Sequence, residues 1–114
     1  MTVPFETLAA VDLGSNSFRL QIVRVTEGGL FPIDSLKDTV RLGAGLLPNG
    51  NLDDAVAARA LACLARFGER LRGFESDQVR AVATNTFRVA KNIREFLPQA
   101  EAALGFPIEI IAGR

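Results

Sequence analysis

Gly14, Ser15, Asn16 and Ser17 fall between two apolar segments, with Asp12 shortly before them and Arg19 shortly after. A turn made of such small polar residues can point several backbone N–H groups and the hydroxyls of Ser15 and Ser17 the same way, forming a nest for phosphate oxygens. Gly14 lets the backbone approach an anion closely. Asp12, at the end of the preceding segment, suits a Mg²⁺ ion held through water, because hard cations take oxygen ligands and keep several waters. Arg19 suits a charge-assisted contact to phosphate. The same residue types also suit an ordinary hairpin whose Asp, Ser and Asn satisfy only their own backbone. On residue types alone both readings stand.

A second candidate is the segment Ala83-Thr84-Asn85-Thr86-Phe87-Arg88-Val89-Ala90-Lys91-Asn92. It sits where a buried strand passes into a helix, and open α/β sheets place ligands beyond the carboxyl ends of their strands. The alternative is that Thr84, Asn85 or Thr86 only caps the helix while Arg88 and Lys91 are solvated. Arg41, just before Leu42-Gly43-Ala44-Gly45, is a third anion contact or else a solvated loop residue. Cys63 lies beside the Leu61/Leu64 side of a helical stretch with nothing near it in sequence to lower its pKa, so it reads as a packed, inert thiol. Asp34, Asp38, Glu69, Glu75 and Glu101 show no spacing that suggests acid/base work.

The elements that must position these groups follow from hydrophobic periodicity. Residues 8–13 and 17–25 read as two strands joined by a tight turn, and Gly28-Gly29 turns the chain into a third extended stretch, 30–41, completing a β-meander. Residues 42–51, with Gly43, Gly45, Pro48 and Gly50, read as loop. From 53 to 73 the pattern is helical, Ala57, Ala60, Leu61, Leu64, Phe67 and Leu71 forming one apolar stripe. Asp53 and Asp54 suit its positive end, Arg70 and Arg72 its negative end, and Gly73 a left-handed stop. Residues 79–83 read as a buried strand that closes a strand, crossover helix and parallel strand. Residues 86–92 and 93–104 read as helices with a break between them, and 108–112 as a last strand after Pro107.

Composition bounds the function classes. The chain has 114 residues, 48% hydrophobic, with 13 basic and 13 acidic side chains. That describes one soluble globular domain with a sizeable core, and rules out two full domains. Zero net charge argues against general electrostatic capture of nucleic acid. The absence of histidine removes the usual metal ligand and general base, and one cysteine forms no internal disulfide. No apolar run reaches membrane-spanning length, and residues 1–10 carry no basic leader, so a cytoplasmic location is expected. An apolar strand followed only by Gly113 and Arg114 leaves a sheet face and edge uncovered, which reads as a cut chain and invites a homodimer.

In order along the chain, several segments together resemble the N-terminal part of the Ppx/GppA exopolyphosphatase and guanosine pentaphosphate phosphohydrolase family. They are 10–20 with its Asp12-Leu13-Gly14-Ser15-Asn16-Ser17 core, Val40-Arg41-Leu42-Gly43 with Gly45-Leu46, Ala83-Thr84 with Arg88, Ala90 and Asn92, and Ile108 to Gly113. The resemblance implies an α/β fold, the N-terminal lobe of a ribonuclease H-like, actin-like ATPase domain whose mixed sheet has a β-meander followed by βαβ. It implies phosphate binding by Gly14, Ser15, Asn16, Ser17, Arg19, Arg41, Thr84 and Arg88. It further implies Mg²⁺, with Asp12 as its ligand through water, and hydrolysis of terminal phosphoanhydrides of inorganic polyphosphate or guanosine pentaphosphate. The tetraphosphate is a possible ligand of the same kind. The family's Glu-Glu-Ala-Arg motif and its second phosphate loop would lie beyond Arg114, so residues 1–114 are expected to be an incomplete domain without activity of their own. Two other readings are a phosphate- or nucleotide-binding module without catalysis, and a lobe of a sugar or acetate kinase, whose looser Asp-x-Gly-x4-Arg spacing Asp12, Gly14 and Arg19 also fit.

Overall fold

The computed structural model describes residues 6–111. Three strands, β1 (Thr7–Leu13), β2 (Phe18–Thr26) and β3 (Gly29–Asp38), form the expected antiparallel meander. Alternation makes it one-sided: Ala9, Val11 and Leu13 of β1 and Phe18, Leu20 and Ile22 of β2 are buried, whereas Ala10, Asp12, Arg19 and Gln21 face outward. β3 stops at Asp38, short of the stretch expected from sequence, and Arg41 beyond it takes a left-handed backbone with φ of 57°.

Helix α1 (Asp54–Arg70) begins where Asp53 accepts hydrogen bonds from the amides of Ala55 and Val56, at 3.1 and 3.3 Å. This is an N-cap that satisfies two otherwise unpaired donors. Its buried stripe is Val56, Ala60, Cys63, Leu64 and Phe67, rotated from the expected one; Ala57 and Leu61 lie at its margin. After α1 and a turn with Gly73 at φ of 89°, the chain enters β4 (Val79–Ala83). β4 pairs in parallel with β1, and β5 (Glu109–Ile110) pairs in parallel with β4, giving the order β3-β2-β1-β4-β5. The parallel partner is therefore the first strand and not the strand preceding α1, since β1 is the inner strand that the meander leaves open on one side. The last strand is shorter than expected, and Ala112 lies outside the described residues.

Two further helices, α2 (Asn85–Val89) and α3 (Ile93–Leu104), follow β4, with the expected break between them. α3 buries Phe96, Ala100 and Leu104. It comes so near α1 that a Cβ on Gly68 would stand 2.7 Å from the Leu104 carbonyl oxygen. The core lies between these helices and one face of the sheet. Asp34 and Asp38 of β3 pair with Arg70 and Arg66 of α1, pinning the outer strand to the helix.

Because β1 and β4 are parallel neighbours with Leu13 opposite Ala83, the chain leaves both strands at the same end of the sheet. That register brings residues 14–17 beside residues 84–86.

Candidate anion-binding site

The turn after β1 is held by its carbonyls. Gly14 donates to the Ser17 carbonyl at 3.0 Å, Arg41 to that of Asn16 at 2.8 Å, and Gly43 to that of Ser15 at 2.8 Å. Three consecutive carbonyls are thus committed to protein donors. The amides of Ser15, Asn16 and Ser17 have no acceptor among the described residues. A buried or half-buried amide without a partner is costly, so a run of such amides at a half-exposed turn is matched to an external acceptor such as a phosphate oxygen.

The segment containing Arg41 is not the loose loop expected from its glycines. Val40 and Leu42 are buried, residues Gly43–Gly45 form a short 3₁₀ turn, and Leu46 bridges to Leu52. Gly43 is needed at the contact: a Cβ there would lie 3.3 Å from the Ser15 Cβ and 3.4 Å from the Thr86 Oγ1. Arg41 stands exposed at this junction, its main chain already bonded to Asn16.

On the other side, the Thr84 amide donates to the Leu13 carbonyl at 3.3 Å, linking the exits of β1 and β4. Thr84 occupies the N-cap position of α2 without a side-chain cap bond, and Arg88 is exposed at the end of that five-residue helix. Thr86 does not cap; its hydroxyl donates to the Ser15 Oγ at 2.8 Å. Asn92, part of the resemblance, is structural here: its Oδ1 accepts from the Leu52 amide at 2.9 Å, tying residues 46–52 to the start of α3.

The structure therefore gathers Gly14, Ser15, Asn16, Ser17, Arg41 and Thr84 at one end of the sheet. Asp12 and Arg19 are paired across β1 and β2 on the exposed sheet face, so they flank the turn instead of lining its interior. The contact role of Gly43 and the role of Thr86 beyond a cap are visible only in the fold. The sequence signal for Thr86 is its position four residues before Ala90, on the side of α2 that packs inward. Cys63 takes no part: burial first, and then the negative charge of Asp38, pushes its thiol up to about 12, leaving it protonated and unreactive.

Residues 21–114 match the family model described as the Ppx/GppA phosphatase family. The chain is 46% identical over 105 residues to a guanosine-5'-triphosphate,3'-diphosphate pyrophosphatase from Aeromonas hydrophila, a match covering 92% of this chain and 21% of that protein. It is also 46% identical over 110 residues to the protein of that name from Pseudoalteromonas atlantica, covering 96% of this chain and 22% of the relative. Among solved structures, the Aquifex aeolicus Ppx/GppA enzyme superposes with a TM-score of 0.84 at 31% identity, over 96% of this chain and 36% of that one. An exopolyphosphatase from Cytophaga hutchinsonii matches in fold, with a TM-score of 0.84 at 24% identity over 94% of this chain and 34% of its own. The expected α/β fold, that of the actin-like ATPases, is the fold of these enzymes. The chain spans about a fifth of the length of the curated relatives it matches.

Proposed function

This chain belongs to the Ppx/GppA phosphatase family, and from that membership we propose that it is the phosphate-gripping part of an enzyme that hydrolyses terminal phosphoanhydride bonds. The substrate class is guanosine pentaphosphate or inorganic polyphosphate, as the names of the relatives suggest. One observation carries the reading: three consecutive carbonyls of residues 15–17 are bonded to protein, while the three amides of the same residues have no acceptor among the described residues. Amides fixed in this way need no reorganisation when charge develops on a transferring phosphoryl group, which is how such sites lower barriers.

In this reading Gly14 admits the phosphate, the amides and hydroxyls of Ser15 and Ser17 with the amide of Asn16 bind its oxygens, and Thr84 offers from the β4 side a hydroxyl that has no partner among the described residues. Arg41 and Arg88, both exposed, supply positive charge at the rim, and Arg19 does so from the sheet face. Mg²⁺ would neutralise phosphate charge. Asp12 is an exposed carboxylate at the end of β1, and no group of three His, Cys, Asp or Glu ligands occurs among the described residues. That donor set fits a cation bound through one carboxylate, water and the substrate's own oxygens. No described carboxylate other than Asp12 is placed at the turn by the site's contacts, so positioning of the attacking water is assigned to residues outside this chain.

No helix among the described residues is long and apolar enough to cross a membrane. A cytoplasmic location and a homodimer paired through the edge strand β3, where Leu30, Phe31 and Ile33 are exposed, complete the reading. The deciding experiment is an amide-resolved NMR titration of the 114-residue chain with pyrophosphate. Shifts concentrated at Ser15, Asn16 and Ser17 are expected; a titration that leaves these amides unmoved overturns the reading. The same chain, given long-chain polyphosphate and Mg²⁺, is expected to release phosphate no faster than its Asp12→Ala variant.

A further inference from the structure

Thr86 is the buried polar residue of the core among the described residues, only 4% exposed. Such a hydroxyl is retained in a core only when it is hydrogen-bonded, and its partner here is the Ser15 Oγ, 2.8 Å away. The bond joins α2 to the turn after β1, across 71 residues of sequence. Ser15 is gripped a second time, through its carbonyl, by the Gly43 amide at 2.8 Å. Gly43 in turn packs close enough that even a methyl group would press on both hydroxyl-bearing side chains. Ser15 is therefore clamped from two sides, by a buried donor and by a main-chain donor.

A hydroxyl carries one proton and two lone pairs. Thr86 donates its proton to the Ser15 Oγ, so the proton of Ser15 has to point elsewhere, and Ser15 is half-buried in a turn whose own amides at 15–17 have no acceptor among the described residues. A hydroxyl that already accepts one bond is also a better donor, because successive bonds polarise one another. The geometry points to Thr86 as a positioning residue: it locks the Ser15 rotamer so that the Ser15 hydroxyl donates to the anion held by the neighbouring amides. This rests on the phosphate-binding reading of residues 14–17, and extends it to a residue that touches no phosphate itself.

The test is pyrophosphate binding by the 114-residue chain, followed through the Ser15 to Ser17 amides, in Thr86→Val, Thr86→Ser, Ser15→Ala and the Ser15→Ala/Thr86→Val double variant. Thr86→Val keeps the shape and removes the proton, and is expected to weaken binding about tenfold, the lower end for a bond to a charged group. Thr86→Ser, which restores the donor, is expected to recover binding to within about twofold. In the Ser15→Ala background Thr86→Val is expected to change nothing further, because the effect passes through the Ser15 hydroxyl. A purely structural Thr86 would show instead as a loss of stability, with serine failing to rescue and the two changes adding. Wild-type affinity in Thr86→Val, or additive losses in the double variant, overturns the proposal while leaving the phosphate site intact. Failure of the wild-type chain to bind pyrophosphate overturns both. Should Thr86→Val not fold, Ser15→Ala decides: unchanged binding there overturns the latch, and a loss of about tenfold with Thr86→Ser near wild type supports it.

Discussion

The seam between α1 and α3 and the bracket around Ser15 are built from opposite materials. At the seam, Cys63, Leu64 and Phe67 lie fully or almost fully buried, and Gly68 lets two helix backbones nearly touch. At the bracket, three turns from distant parts of the chain meet through main-chain donors and one hydroxyl pair. The seam gains its free energy from area removed from water, in proportion to what is buried. The bracket gains little from area and spends its bonds on directing amides and a hydroxyl outward. Substitutions at the seam should therefore move stability and leave anion binding alone, whereas substitutions at the bracket should do the reverse.

The largest effect should come from Phe67→Ala, which empties a site only 2% exposed between helix and sheet. A loss of about 3–5 kcal/mol of unfolding free energy is expected. Urea unfolding followed by circular dichroism measures it, since the chain has neither Trp nor Tyr. Gly68→Ala should follow, at about 1–3 kcal/mol, because the added methyl meets the backbone of Ala103 and Leu104 and not a side chain that can turn away. A cost below about 0.5 kcal/mol would show that α3 can shift freely on α1, and would dissolve the contrast between a rigid seam and a polar bracket.

Cys63 makes the seam sensitive to base. Its thiol has a reference pKa of 9.0 and is pushed up to about 12 in the folded chain, mainly by burial and secondly by Asp38. The folded state thus holds the proton more tightly. The corresponding stabilisation is complete below pH 9, and is lost as pH rises through the window toward 12, at about 1.4 kcal/mol per pH unit. Cys63→Ala should lose this dependence, so the difference in stability between wild type and variant should shrink on going from pH 9 to pH 10 and beyond. Parallel curves for the two proteins would remove Cys63 from the sealed core. Asp53→Ala, which deprives two amides at the start of α1 of their acceptor, should cost about 1 kcal/mol and leave pyrophosphate affinity unchanged.

The same contrast governs what could be read from the residues. Strands and helices that bury one face leave a period of two or of three to four, so the meander, α1 and α3 are legible in the order of apolar residues alone. Pairing is not: β4 lies beside β1, because strand neighbours are chosen by sheet-wide packing and not by local pattern. Residues 42–51 read as loop because of their glycines. Yet Leu42 is fully buried, and Gly45 is so close to Val56 that a Cβ would stand 2.7 Å from it. The glycines mark close approach there as well as turning. Polar contacts between turns carry no periodicity at all, which is why the Thr86–Ser15 bond and the Asn92–Leu52 bond emerge only in three dimensions.

Arg41 should show the smallest change in stability and so draws the contrast most sharply. Its φ of 57° places a non-glycine residue in the left-handed region, which costs about 1–2 kcal/mol for an L-residue. Glycine in its place would relieve that strain, while the unfolded chain would gain freedom worth about 0.5–1 kcal/mol. The two terms nearly cancel, so Arg41→Gly should fold with a stability within about 1 kcal/mol of wild type, on the favourable side. The bond from the residue 41 amide to the Asn16 carbonyl survives the change, so the turn keeps its shape. What disappears is the guanidinium. If its charge belongs to the anion site, pyrophosphate affinity should fall about tenfold in a protein as stable as before. Unchanged affinity would leave the strained backbone serving only to aim an amide at Asn16, and the positive rim of the bracket would then rest on Arg88 and Arg19.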